Sequence, residues 1–277
     1  MGKHGIRLTS LIVVEERLRE ASYFARALGR QRNADVISYQ LNAFLSASRS
    51  VTFLLQKEMS RVRGFESWWG EQQQELSRDK AARFFLKLRN FSQKEGRVSL
   101  VGTRVPKLGG SRWIFRFGGN SDKVPPELVH RNVDDCCIEH VAKLAGLILK
   151  CCERFPYHVS ARRALTPDGV QELELSMHDI CEAAGLPKEW GDASSELPRE
   201  EVLRIVRESV DDLDFRFLRR LAKGRPKTRT ADALQGELGE DLLLRMVTQL
   251  EGPEQTLNMA EVLGELLLVT RPAHEEK

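Results

Sequence analysis

The sequence predicts a mostly α-helical fold: a four-helix bundle, then a short β-hairpin, then a second, acidic helical domain. Three observations favour this prediction. Apolar residues recur at steps of three and four through the first hundred residues and again after residue 125. Between residues 97 and 120 the apolar period changes to two. The charge changes sign near the same place, so we expect a basic bundle at 1–96, a β-hairpin connector at 97–120 and an acidic α-helical domain at 121–277.

Four helices are predicted in residues 1–96. Two long apolar seams define the first two, and they consist of Val14, Leu18, Ala21, Ala25 and Leu28 and then of Ile37, Leu41, Phe44, Ser48, Val51 and Leu55. Asn33 is placed to cap the second helix, and a shorter third helix starts near Phe65. The fourth follows the predicted N-cap Asp79, ends at Gly96 and should bury Ala81, Phe84, Leu88 and Phe91. Helices with such seams are typical of an antiparallel bundle.

The rest of the chain is predicted as a hairpin followed by helices. Trp113, Phe115 and Phe117 alternate on one face of the second strand, and we expect this face to pack on a helix. A long helix is predicted from about Asn132 to Phe155, followed by three short helices. A basic segment then runs from Arg216 to Arg229, and two further helices are predicted at about 230–251 and 257–269. That basic segment is a second candidate contact for a polyanion, or for the acidic surface of its own half.

Composition limits the protein class. Hydrophobic content of 41% and charged content of 30% are typical of a globular protein. No apolar run approaches the roughly 18 residues that span a bilayer, so no membrane partner is expected. The N-terminal apolar patch has no small-residue cleavage site, which predicts a cytoplasmic protein. The odd number of cysteines, five, favours reduced thiols.

The charge asymmetry predicts a polyanion partner. Residues 1–118 contain 22 Lys and Arg and 10 Asp and Glu, a net charge of +12, whereas residues 119–277 contain 21 and 30, a net charge of −9. A basic half of this kind attracts RNA or another polyanion, and the acidic half offers a surface to a protein partner. Mutual attraction of the two halves is the alternative explanation.

The stretch "ARFFLKLRNFSQKEG", residues 82–96, carries the motif that bears most directly on function. Here a stripe of apolar residues ends at Arg89 and Asn90. Because this Leu-Arg-Asn lies near the end of the last helix of a basic four-helix bundle, residues 10–96 resemble the HEPN family of helical domains. The hallmark of that family is an arginine, a polar residue and then a histidine four to six residues after the arginine. The resemblance implies a homodimer through the long helices, and a metal-independent ribonuclease or a role in antiviral defence or toxin–antitoxin systems.

Carried over to this chain, the resemblance makes Arg89 the motif arginine and Asn90 the polar residue. Lys94 stands where the histidine is expected. Imidazole exchanges protons near neutral pH, whereas a lysine, with an ordinary pKa of about 10.4, neutralises phosphate as a point charge. The departure therefore predicts a domain that keeps phosphate binding and is impaired in cleavage. The residues expected to bind nucleic acid are Arg83, Lys87, Arg89, Lys94 and Arg97.

Two other groups of residues are candidates for chemistry. His130 precedes the long helix, and a fold-back of the chain would be needed to bring it to Arg89. Asp135, Cys136, Glu139 and His140 are spaced for one helical face, but no second pair completes a ligand set, so no metal and no cofactor are expected.

Three functions remain open from the sequence. The first is a cleavage-impaired RNA-interacting protein, the second an active endoribonuclease with a non-standard acid–base group, and the third a structural or interaction subunit. For the third, we expect Arg89 to be buried against an acid.

Overall fold

A computed structural model of the chain describes residues 10–107, 110–118, 124–186 and 198–224. It is mostly helical with one two-stranded antiparallel hairpin, which confirms the predicted fold class. The predicted helices at about 230–251 and 257–269 lie outside the described residues.

The first four helices are α1 (Ile12–Leu28), α2 (Ala34–Met59), α3 (Phe65–Arg78) and α4 (Lys80–Lys94). Their starts follow the predicted caps. The Asn33 Oδ1 atom accepts hydrogen bonds from the backbone N–H groups of Asp35 and Val36, at 2.8 and 3.3 Å. Asp79 caps α4 in the same way by accepting from the Ala82 N–H group at 3.0 Å. These side-chain oxygens satisfy N–H groups that have no partner inside the helix.

The hairpin consists of β1 (Leu100–Lys107) and β2 (Gly110–Phe117). Its register pairs Leu100 with Phe117 and Gly102 with Phe115. A Cβ atom on Gly102 would lie 3.0 Å from the Phe115 ring, so glycine leaves room for an aromatic ring across the pair. The predicted aromatic face of β2 is confirmed, because Phe117 packs on Phe84 of α4 with ring centroids 5.0 Å apart.

The helices after the hairpin confirm the predicted long helix and the short ones. The long helix is preceded by one single-turn helix and followed by two more single-turn helices and four short ones. Their bounds are α5 (Pro126–Val129), α6 (Val133–Arg154), α7 (Pro156–Val159), α8 (Ala161–Ala164), α9 (Pro167–Glu172), α10 (Met177–Ala183), α11 (Arg199–Ser209) and α12 (Phe215–Ala222).

Contacts group the described chain into two units. The first contains the described parts of residues 10–19, 47–75 and 142–223, and the second those of 20–46, 76–141 and residue 224. Helices α1, α2, α3 and α6 contribute residues to both units. The domain limits predicted at residues 96 and 120 stay a prediction.

The first unit has an apolar core and a polar connection between its two ends in sequence. Trp69 stacks on Phe65 with ring centroids 5.9 Å apart, and both side chains are buried. The buried Glu15 carboxylate accepts a hydrogen bond from the Asp214 N–H group at 2.7 Å and from Arg19. Asp214 in turn caps α12 by accepting from the Phe217 N–H group at 2.8 Å. These partners satisfy the buried carboxylate, as is usual for buried polar groups.

Two general findings concern the described part of the chain. All five cysteines are unpaired and buried. None of the described helices combines the length and the hydropathy that crossing a bilayer requires.

Candidate nucleic-acid interface

Helix α4, which lies in the second unit, positions all but one of the predicted site residues. Its sequence, KAARFFLKLRNFSQK, contains five basic residues and no acidic residue. Ala81, Phe84 and Phe85 are buried, and they direct one side of the helix to the core. The opposite side is left to solvent, as expected for an amphipathic helix.

Four cations form one exposed stripe on that outer side, which we call the basic ridge: Lys80, Arg83, Lys87 and Lys94. Their spacing of three, four and seven residues places them on one face of the helix. Within the described ranges, no carboxylate forms an ion pair with any of these four side chains. The ridge thus presents uncompensated positive charge.

Arg89 and Asn90 occupy a different part of the helix. At about 100° per residue, Arg89 lies roughly 120° or more around the axis from each ridge residue. It is half-buried, and its Nη1 atom donates to Asn90 Oδ1 at 3.3 Å. The arrangement expected for an assembly subunit, Arg89 buried against an acid, does not occur among the described residues.

The Arg89 guanidinium retains donors that a ligand can use. Its Nε atom is buried and has no acceptor in the part of the chain that the structure describes. An unsatisfied buried donor costs about 1–3 kcal/mol, and because this atom is out of reach of solvent, a ligand could use it only after the side chain moved. Phosphate oxygens suit the fork of an arginine because they accept two parallel hydrogen bonds.

Arg97, the remaining predicted contact, lies just beyond α4 and has partners within the chain. Its Nη2 atom lies 2.7 Å from Asp35 Oδ1, and its guanidinium carbon lies 5.7 Å from the centre of the Tyr39 ring. Arg97 and Asp35 are both exposed, so the pair is weak and water can separate it.

An aromatic layer packs against the buried side of α4 and includes a histidine. The His140 ring of α6 stacks on the Phe85 ring at 4.5 Å, and its edge contacts Phe44 at 6.2 Å. Phe85 lies one helical turn before Arg89, about 6 Å along the axis. His140 therefore brings an imidazole to the part of α4 that carries the motif arginine.

The four residues considered as metal ligands have other roles. Glu139 forms an ion pair with Arg131 at 2.7 Å, and Asp135 accepts a hydrogen bond from Asn132 Nδ2 at 3.4 Å. His140 stacks on Phe85, and burial raises the pKa of the Cys136 thiol to about 12. A protonated thiol is a poor ligand. In the ranges that the structure covers, no three His, Cys, Asp or Glu side chains converge on a common point.

Two further predictions concern basic residues and a histidine elsewhere. His130 is exposed at the end of α5. In the second basic segment, Arg216, Arg219, Arg220 and Lys223 are exposed in and just after α12, whereas residues 225–229 lie outside the described ranges. These cations belong to the first unit.

Two residues near the candidate interface have positions that the sequence did not predict. Phe91 was predicted to be in the core but is 38% exposed beside the ridge, and His140 was considered only as a metal ligand. On a helical wheel Phe91 lies about 20° from the buried Phe84 and about 40° from Lys87, so the sequence carried no signal that separates it from the core stripe. No local pattern pairs His140 with a residue 55 positions earlier.

Part of the chain is similar to one known protein family. Residues 8–109, which include all of α4 and the basic ridge, match the family described as bacteriophage lambda protein ea47. No curated protein and no solved structure matches the chain. Over these residues the chain is similar to that phage family.

Proposed function

We propose that this chain is an RNA-interacting, HEPN-like protein that binds the phosphate backbone through the basic ridge and is impaired in cleavage. The observation that carries the proposal is the ridge itself: four exposed cations on a helix without acids, none of them ion-paired within the described residues. Exposed charges of one sign attract a polyanion because binding releases its condensed counterions.

Arg89 and Asn90 add a second contact of a different kind. The ridge supplies point charges, whereas the Arg89 fork can form directed hydrogen bonds to one phosphate. Asn90 orients that fork through the 3.3 Å hydrogen bond. Lys94, which replaces the motif histidine, is exposed on the ridge and serves there as a further phosphate contact.

The test is binding of labelled single-stranded RNA by the wild type and by the double variant Arg83→Glu, Lys87→Glu. If all four ridge cations meet phosphates, the slope of log affinity against log salt should be about −3 from the ridge alone. The double variant should bind at least about tenfold more weakly, and its slope should be shallower by about 1.4.

The matched control is Arg61→Glu, Arg63→Glu, which reverses two exposed charges in the turn between α2 and α3. It should leave affinity within twofold of wild type. Equal losses in the control and the double variant would mean that net charge, and not the ridge, governs binding. Failure of the wild type to bind would refute the proposal.

One observation favours the alternative, a metal-independent endoribonuclease with a non-standard acid–base group. His140 stacks on Phe85, one turn from Arg89, and imidazole is a suitable group for proton transfer near neutral pH. Cleavage would be followed in EDTA with wild type, Arg89→Ala and His140→Asn. Cleavage that both variants lose would establish the alternative. RNA binding without cleavage by the wild type would support the proposed cleavage-impaired protein.

We further propose a homodimer and a setting in antiviral defence or a toxin–antitoxin system. The HEPN resemblance supports both, and the match to a bacteriophage protein family fits a setting in which phage and host proteins meet. An interaction subunit remains the third candidate, with the acidic half as its partner surface.

A further inference from the structure

Phe91 is an exposed aromatic side chain among the cations of the basic ridge. It follows Lys87 by four residues and precedes Lys94 by three, so its ring lies beside both on the helix surface. It is 38% exposed, although its spacing from Phe84 would allow burial. Its position therefore combines an aromatic face with two adjacent positive charges.

The aromatic contacts of α4 within the second unit do not include Phe91. Phe84 and Phe85 both pack against Phe117, with ring centroids 5.0 and 6.0 Å apart. Phe85 also receives His140 on its face. No described aromatic ring contacts Phe91. More than a third of its surface is open to solvent and can meet a ligand.

We infer that Phe91 is a stacking platform for an unpaired base, and that the ligand of the ridge is single-stranded RNA. Lys87 and Lys94 are about 10 Å apart along the helix axis, one on each side of the ring. Phosphates on the two sides of one stacked nucleotide can each meet a cation in this arrangement. The inference rests on the proposed function, because it names the substrate class of the same surface.

The preference for a single strand follows from base accessibility. In a duplex, neighbouring bases cover one another and present only their edges, whereas an unpaired base can leave the strand and stack on a side chain. Such stacking tolerates any base, since every base has a π face. The ridge alone would bind duplex and single strand through phosphates without this distinction.

The experiment measures affinity for one labelled RNA, alone and annealed to its complement, with wild type, Phe91→Ala and Phe91→Trp. Phe91→Ala should weaken binding of the single strand about tenfold and change duplex binding less than twofold. Phe91→Trp should retain single-strand affinity because it keeps an aromatic face. The salt slope should not change in either variant, since no charge is altered.

The matched control is Tyr23→Ala, which removes an exposed aromatic ring of α1 in the same unit. It should leave both affinities unchanged. If Phe91→Ala keeps wild-type affinity while the double variant Arg83→Glu, Lys87→Glu loses binding, the stacking inference is overturned and the proposed function stays intact. Equal losses for single strand and duplex in Phe91→Ala would also overturn it, and thermal melting of each variant separates either result from unfolding. No RNA binding by the wild type would refute the proposed function and this inference together.

Discussion

At the scale of single residues, Arg89 and the ridge lysines hold their charges in different environments. Arg89 is half-buried at the margin of the core, where its stem can pack on apolar neighbours while its head is oriented by Asn90. Lys87 and Lys94 are exposed and interact with a ligand only through charge and mobile hydrogen bonds. A substitution of Arg89 by Lys therefore removes the directed contact while it keeps the charge.

The buried cysteines allow a prediction about reactivity. Burial raises the pKa of Cys136 and Cys152 to about 12, and it raises that of Cys137 as well. Since only the thiolate is nucleophilic, a disulfide reagent at pH 8 should label none of the five thiols in the native protein and all five in denaturant. Rapid labelling of even one thiol in the folded protein would contradict the burial.

The same raised pKa values set the sign of a pH effect. The folded state keeps thiol protons that the unfolded chain releases above the ordinary pKa of 9.0. The unfolded state is therefore favoured as pH rises above about 9, and the free energy of unfolding should decrease between that pH and about 12. Urea unfolding at pH 8 and pH 10 would measure the difference, and a Cys137→Ala variant should show a smaller decrease.

At the scale of elements, α4 is defined by local signals at both ends. Asp79 caps its start, and its end is marked by Gly96, whose φ of +127° is a conformation that side chains with a Cβ atom rarely adopt. The predicted apolar stripe was wrong at Phe91 and incomplete at Phe85. Phe85 is buried because Phe117 and His140 cover it, and these contacts come from β2 and α6.

The cap of α4 gives the prediction at this scale. Asp79→Ala should lower the free energy of unfolding by about 1 kcal/mol, because the Ala82 N–H group loses its acceptor. Asp79→Ser, which restores a capping oxygen, should recover most of the loss. Urea unfolding of the three proteins measures this, and equal destabilisation by both substitutions would show that the cap bond is not the cause.

At the scale of the whole molecule, the proposed homodimer requires an exposed surface that is not otherwise covered. Phe53 of α2, in the first unit, is 58% exposed. Two α2 helices related by a twofold axis near Phe53 would bring the two rings together, because a residue beside the axis meets its own copy.

We therefore expect Phe53→Ser to weaken self-association at least about tenfold, because each protomer loses a large apolar side chain from the contact. Sedimentation equilibrium over a concentration series would measure the dissociation constant. Tyr23→Ser, which changes an exposed aromatic ring on α1, is the control. A wild type that remains monomeric at all concentrations would refute the homodimer.

The sequence by itself determined the features that depend on near neighbours in the chain. Helices α1 to α4, α6 and α9 to α11, the caps at Asn33 and Asp79, the hairpin and the five basic residues of α4 follow from local periodicity and composition. In each case the interacting groups are within a few residues of one another, so the pattern carries the contact. The single-turn helices α5, α7 and α8 were not predicted, and the assignment of Arg89 and Asn90 as motif residues stays a prediction.

Only the tertiary structure decided which side of α4 is covered. It placed Phe85 under His140, left Phe91 beside the ridge and joined Arg97 to Asp35. These outcomes depend on side chains 55 or more positions apart, whose meeting is set by how helices and strands pack against one another. Packing of distant elements is a collective property of the whole core, and no local window of sequence contains it.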